Sequence, residues 1–137
     1  MEEDKDAPGE RFAPAKSRTI KQLAGTDIVE VRYAGEVGYD YRVGTIVALA
    51  AITPRGGFRR ILVNYTSAWP GIDAGPEAAA EFGARMGRLK FAQGARVALV
   101  NAPAEVEAQT NEVLTQGGFL FRQFHDRAQA VEWLLAS

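Results

Sequence analysis

The chain has no cysteine. That excludes disulfides, thiol nucleophiles and cysteine metal sites. It has a single histidine, His125, too few imidazoles and thiols for a transition-metal centre. A lone histidine also needs an orienting partner for acid–base work, and its neighbour Asp126 is required as a helix cap. Excess charge is missing too. Sixteen basic residues stand against seventeen acidic ones, giving a net charge of -1 and a pI of about 5.9. Nothing in that balance pulls the chain onto nucleic acid or an anionic membrane. No apolar run reaches the length of a membrane-spanning helix, so no membrane insertion is expected. The opening MEEDKDAPGE has no apolar stretch of the kind a signal peptide carries, so the expected location is cytoplasmic. There is no Gly-x-Gly-x-x-Gly, no phosphate-binding Walker loop and no Gly-x-Ser-x-Gly. These absences turn the reading away from an enzyme and imply no cofactor.

What is present is a beat of strand then helix, repeated four times. IVEVRYAGEV is followed by DYRVGTIVALAA, RRILVNY by PEAAAEFGARMGRL, RVALVN by AEVEAQTNEVLT, and FLFRQF by DRAQAVEWLLA. Such alternation specifies an α/β fold with a mostly parallel sheet and crossover helices. At 137 residues the chain is one domain with enough surface to bury a core. Residues 1–16 are polar, charged and without periodicity, and are read as a flexible N-terminal tail; residues 17–137 form the domain.

Local signals place the elements. Thr19 to Leu23 and the strand from Ile28 flank the turn Ala24-Gly25-Thr26-Asp27, predicting an antiparallel hairpin at a sheet edge. Asp40 is positioned to cap the first helix, with Val43, Ile46, Val47, Ala50 and Ala51 as its apolar face. Pro54 and Gly56-Gly57 end that helix. Ile61-Leu62-Val63 and Val97-Ala98-Leu99-Val100 are continuous apolar runs, the pattern of central strands covered on both faces. Pro76 opens the second helix, acidic early and basic late, in keeping with the helix dipole. A third helix follows Pro103, with Val106, Thr110, Val113 and Leu114 inward. Asp126 caps the last helix, which docks through Ala130, Val131 and Leu134, with Trp133 as a further candidate. Right-handed crossovers would put all the helices on one side of the sheet. Strands that are apolar on both faces then need a second cover, from within the chain or from another copy, hence the expectation of a possible homodimer.

Three segments carry a family resemblance. Val31-Arg32-Tyr33-Ala34-Gly35-Glu36-Val37 runs into Asp40, Arg60-Ile61-Leu62-Val63-Asn64 ends a central strand on a small polar residue, and Phe121 to Asp126 continues to Ala130-Val131-Glu132-Trp133-Leu134. Over residues 18–136 this pattern resembles the STAS or SpoIIAA-like domains, in particular bacterial STAS-like proteins of unassigned role. The resemblance implies an N-terminal β-hairpin followed by four right-handed βα turns and a five-stranded sheet. It also implies a non-enzymatic regulatory or binding module. Anti-sigma-factor antagonists of the family carry a phosphorylated serine in an Asp-Ser-Ser-Gly-like motif after the central strand. Here that stretch reads Asn64-Tyr65-Thr66-Ser67-Ala68-Trp69-Pro70-Gly71-Ile72-Asp73, with no Ser-Gly pair opening a helix. Ser67 and Thr66 are the hydroxyls in the corresponding place, and so the phosphorylation candidates.

In open α/β sheets ligands bind beyond the carboxyl ends of the strands. The connection from Asn64 to Asp73 is the longest at that edge, about ten residues where two to six are usual. Asn64, Tyr65, Thr66, Ser67, Trp69, Asp73 and, from the next strand end, Asn101 are therefore the candidate ligand-binding residues. Each has a plainer role. Trp69 would cap the core, and Asn64 and Asn101 would satisfy loop backbone. Arg55, Arg59 and Arg60 cluster at the opposite edge as a solvated surface. The expected partners are a protein or a small apolar molecule. Alternatives are a carrier of a lipid or other apolar small molecule and a phosphoswitch antagonist.

Overall fold

The computed structural model describes residues 16–71, 76–103 and 119–136. The expected tail, the expected third helix after Pro103 and the candidate Asp73 lie outside those residues, apart from Lys16 at the tail's end. Strands β1 (Ser17–Gln22) and β2 (Ile28–Val37) lead into helix α1 (Tyr39–Ala51). Strand β3 (Phe58–Pro70), helix α2 (Pro76–Arg88) and strand β4 (Phe91–Val100) follow, and strand β5 (Leu120–Phe124) and helix α3 (Arg127–Leu135) close the fold. The sheet order is β1-β2-β3-β4-β5, with β1 antiparallel to β2 and every other pair parallel. This is the sheet the sequence predicts. The hairpin turn is held by Thr26, whose hydroxyl donates to Leu23 O at 2.9 Å and accepts from Ile28 N at 3.0 Å.

The sheet has two covered faces. On the first, Val31 and Tyr33 of β2, Ile61 and Tyr65 of β3 and Val97 and Leu99 of β4 pack beneath α1 and α2. On the second, Ile28, Leu62, Ala98 and Val100 pack beneath Ala130 and Leu134 of α3. The cover that the doubly apolar strands demand is thus supplied within the chain, by the last helix. Among the described residues α3 does not join two parallel strands, so the handedness rule for crossovers does not apply to it. The argument for a homodimer from an uncovered face loses its premise over β3 and β4.

A helix of nine residues is too short to be stable alone, so its hold on the sheet matters. Asp126 caps its start by accepting from Ala128 N at 2.8 Å. Its last turn contains no basic residue. Strand arginines complete it instead: Arg60 Nε donates to Leu134 O at 2.7 Å and Arg96 Nη1 to Trp133 O at 2.6 Å. These donors satisfy carbonyls that a helix end leaves without partners. Arg60 also chelates both carboxylate oxygens of Asp27 at 2.7 Å, and Arg59 lies 3.2 Å from the same group. The basic cluster at this edge is therefore paired in part.

Three local expectations differ from the structure. First, residues 64–70 are strand, not loop. β2 runs on to Val37 and offers backbone partners to Ser67, Ala68, Trp69 and Pro70, and pairing outweighs a composition that suggests a turn. Second, Asp40 does not cap α1. Gly38 is the N-cap and Asp40 sits in the first turn, its Oδ1 accepting from Tyr41 N at 2.8 Å. Burial of Tyr39 against Phe82 draws the helix start forward. Third, the buried side of α1 is Tyr39, Arg42, Thr45, Ile46 and Leu49, while Val47 is half exposed. Hydropathy periodicity misplaces this face because two polar residues are buried on it. Thr45 accepts from Tyr33 Oη at 2.6 Å and Arg18 Nη1 at 3.1 Å; Arg42 donates to Val37 O at 3.2 Å and stacks over the Tyr39 ring.

Gly57 shows how tightly β3 enters the sheet. Its φ is +95°, and a Cβ there would lie 2.8 Å from the carbonyl carbon of Phe91. Only glycine fits both the left-handed backbone and the close approach.

Candidate functional site

Midway along β2 and β3, level with the carboxyl ends of β4 and β5 and on the face that carries α3, lies an open cleft of about 300 Å³ lined by Arg32, Asn64, Thr66, Ser67 and Arg127. Three features of the chain build it.

The first is a register shift between β2 and β3. Arg32 pairs with Asn64, but Ala34 pairs with Ser67, so β3 spends one extra residue over Tyr65 and Thr66. A bulge of this kind breaks the alternation of side chains between faces. Asn64, Thr66 and Ser67 all line the cleft, while Tyr65 turns to the opposite core.

The second is a relay of polar side chains. Asn64 is buried, and its Oδ1 accepts from Thr66 N at 2.9 Å and Thr66 Oγ1 at 2.6 Å. Asn101 Nδ2 donates to Thr66 Oγ1 at 3.0 Å. Asn101 itself adopts a left-handed conformation, φ 55°, which asparagine tolerates better than most residues. The two asparagines thus converge through Thr66.

The third is a buried carboxylate. Glu30, on the α3 face of β2, is 1% exposed. It accepts from Arg127 Nη2 at 2.8 Å and Nε at 3.0 Å, and from Arg32 Nη2 at 3.3 Å. Hydrogen bonding by Arg127 is the main force holding this carboxyl below its usual range, ahead of the opposing effect of burial; the charge of Arg127 and the contact with Arg32 add to it. The same pairing raises Arg127. Glu30 is therefore a fixed counter-ion that aims both guanidinium groups. Two cations against one anion leave the cluster with a net positive charge.

The sequence candidates divide accordingly. Asn64, Thr66, Ser67 and Asn101 come together. Tyr65 does not join them: it is buried in the first-face core, stacked on Tyr33 with ring centroids 5.2 Å apart. Burial pushes the hydroxyls of both tyrosines up, Tyr33 to about 12. Trp69 lies opposite Glu36 in the register, 41% exposed, outside the cleft lining. His125 is exposed beside the start of α3.

Arg32 and Arg127 are the residues that sequence reasoning misses. A signal for the first exists: Glu30 and Arg32 place opposite charges on one face of a strand that is paired on both sides. Central strands tolerate charge only where it is matched. The match, Arg127, lies 97 residues along the chain.

The first-face core also holds a cavity of about 40 Å³, lined mainly by apolar side chains of α1, α2 and the central strands. Among the described residues no helix is long and apolar enough to cross a membrane.

The fold is SpoIIAA-like. The chain matches the structure of an uncharacterized protein of the DUF3478 family from Shewanella loihica PV-4, itself described as having a SpoIIAA-like fold. The TM-score is 0.57 at 17% identity, covering 87% of this chain and 93% of that one. At that identity the likeness carries the fold and assigns no residue a role. No family model and no curated protein matches the sequence.

Proposed function

We propose that this protein is a non-enzymatic binding module whose recognition site is the cleft between Arg32 and Arg127. One observation carries the reading: a buried carboxylate orients two partly exposed guanidinium groups toward a polar hollow beside the start of α3. Charge built into a covered sheet face costs desolvation, and a well-packed apolar alternative is often at least as stable. A role in recognition accounts for the expense. Catalysis is disfavoured by the same geometry. Glu30 is held ionised by its arginines and is a weak base at neutral pH, and no histidine lines the cleft.

Carriage of a lipid or other apolar molecule has less support. The cleft is lined by polar and charged residues, and the first-face cavity is about 40 Å³ where ligand pockets run from about 300 Å³. A second reading is the phosphoswitch. Ser67 is exposed and lines the same cleft as both arginines, so a phosphate on it would meet two donors.

The test is an amide NMR screen of the full chain against a small fragment library. Binding modules of this design give shifts at Arg32, Asn64, Thr66, Ser67 and Asn101 that vanish in Arg32→Gln. Hits confined to other surfaces would sink the reading. For the second reading, mass spectrometry after expression with the native kinases should find phosphate on Ser67, and none on either hydroxyl rules it out.

A further inference from the structure

We infer that the ligand of this cleft is a small soluble phosphate monoester, an assignment that rests on the binding-module reading above. The donor and acceptor inventory carries it. A guanidinium has five N–H donors. Glu30 engages Nε and Nη2 of Arg127 and only Nη2 of Arg32. The Nη1 group of Arg127 and the Nε and Nη1 groups of Arg32 make no hydrogen bond among the described residues. Both side chains remain substantially open to solvent, at 39% and 49%. Ser67 adds an exposed hydroxyl. The acceptors are committed: Glu30 to the two arginines, Asn64 Oδ1 to the backbone and hydroxyl of Thr66, and Thr66 Oγ1 to Asn101. The hollow therefore offers many donors and few acceptors.

That pattern selects a group that only accepts. A carboxylate has only two oxygens, both in one plane. The donors here come from two guanidinium groups on different elements and a hydroxyl on a third. A tetrahedral phosphate presents three terminal oxygens in different directions, and its charge of about −1.5 to −2 at neutral pH matches a cluster with surplus positive charge. About 300 Å³ accommodates the phosphoryl group and a short organic residue. Only polar residues line the hollow, and their stems and methyl groups offer an acyl chain little apolar surface there. The soluble ester is favoured over a lipid headgroup for that reason.

The experiment is a titration of the ¹⁵N-labelled full chain with glycerol 3-phosphate in Tris chloride at pH 7.5, beside acetate at equal concentration. Saturable shifts at Arg32, Thr66, Ser67 and Arg127, absent with acetate, are expected. Arg32→Gln should weaken binding roughly ten- to a hundredfold, the range for a hydrogen bond to a charged group. Ser67→Asp, at an exposed position, should abolish it by placing a carboxylate among the donors. A silent cleft with glycerol 3-phosphate, or unchanged affinity in both variants, overturns the assignment. If acetate or a neutral fragment shifts these amides while the phosphate does not, the ligand class is wrong and the binding site stands. If nothing shifts them, both readings fall. Co-sedimentation with phosphatidic acid vesicles, not expected here, would overturn the soluble ester in favour of a lipid headgroup.

Discussion

The two faces of the sheet are built on opposite plans. The first is covered by α1 and α2 and is predominantly apolar, with aromatic pairs such as Phe58–Phe91 and Tyr33–Tyr65 filling it. Among the described residues the second is covered by the short helix α3, which is held by a small apolar cluster and by arginines at both ends. Stability is concentrated on the first face. The second gives up apolar contact beside the start of α3 and keeps polar groups open to solvent there. The proposed binding role fits this division, since a fully packed face leaves little to recognise.

The contrast can be broken most forcefully at the core. Phe58→Ala, at a side chain 1% exposed, should cost about 3–5 kcal/mol. Leu134→Ala on the other face should cost about 2–5 kcal/mol, because α3 has no other fully buried anchor of that size. Urea denaturation reads both. A negligible loss at Leu134 would mean that α3 is not part of the cooperative core.

A smaller effect is expected at the charge cluster. Glu30→Gln keeps the shape but removes the counter-ion, and should cost about 1–3 kcal/mol. Loss of a wholly buried pair costs more, but Arg127 and Arg32 are solvated enough to recover part of the difference. The pH dependence has a definite sign. Glu30 has a lowered folded-state pKa, so its contribution is complete above the unfolded carboxylate value of about 4.3 and fades as pH falls through the folded value. Wild type and Glu30→Gln should differ by a constant amount from pH 6 to 8 and converge in acid. Convergence at neutral pH would contradict the pairing.

At the alkaline end the first face should respond. Tyr33 and Tyr65 have raised values, so unfolded chains lose these protons first and stability should decline above about pH 10. Tyrosinate absorbance should show a late-ionising fraction that becomes normal on unfolding. The smallest effect is predicted for Ser67→Ala, within about 0.5 kcal/mol, since the side chain is exposed and outside the relay. A larger loss would give Ser67 a structural role and weaken its place in the cleft.

Much of the site was legible one residue at a time. Asn64, Thr66, Ser67 and Asn101 stand out as polar residues at predicted strand ends, although the first three lie within β3. Tyr65 shares their segment but not their surroundings. A single extra residue in β3 decides which side chains turn to which face, and no pattern in the segment announces it. The buried face of α1 was obscured differently. Arg42 and Thr45 read as surface residues, yet partners from β1 and β2 satisfy Thr45, and Arg42 finds the Val37 carbonyl and the Tyr39 ring.

The sequence by itself determined the element order, the parallel sheet with its antiparallel edge, the cap at Asp126 and the demand for cover on two faces. These follow from periodicity and local backbone chemistry, which act over a few residues. Only the tertiary structure decided what covers the second face, how far β3 extends and where the guanidinium groups point. Those outcomes depend on partners distant in sequence: a strand long enough to pair with residues 67–70, and a carboxylate on β2 that meets an arginine at the start of the last helix.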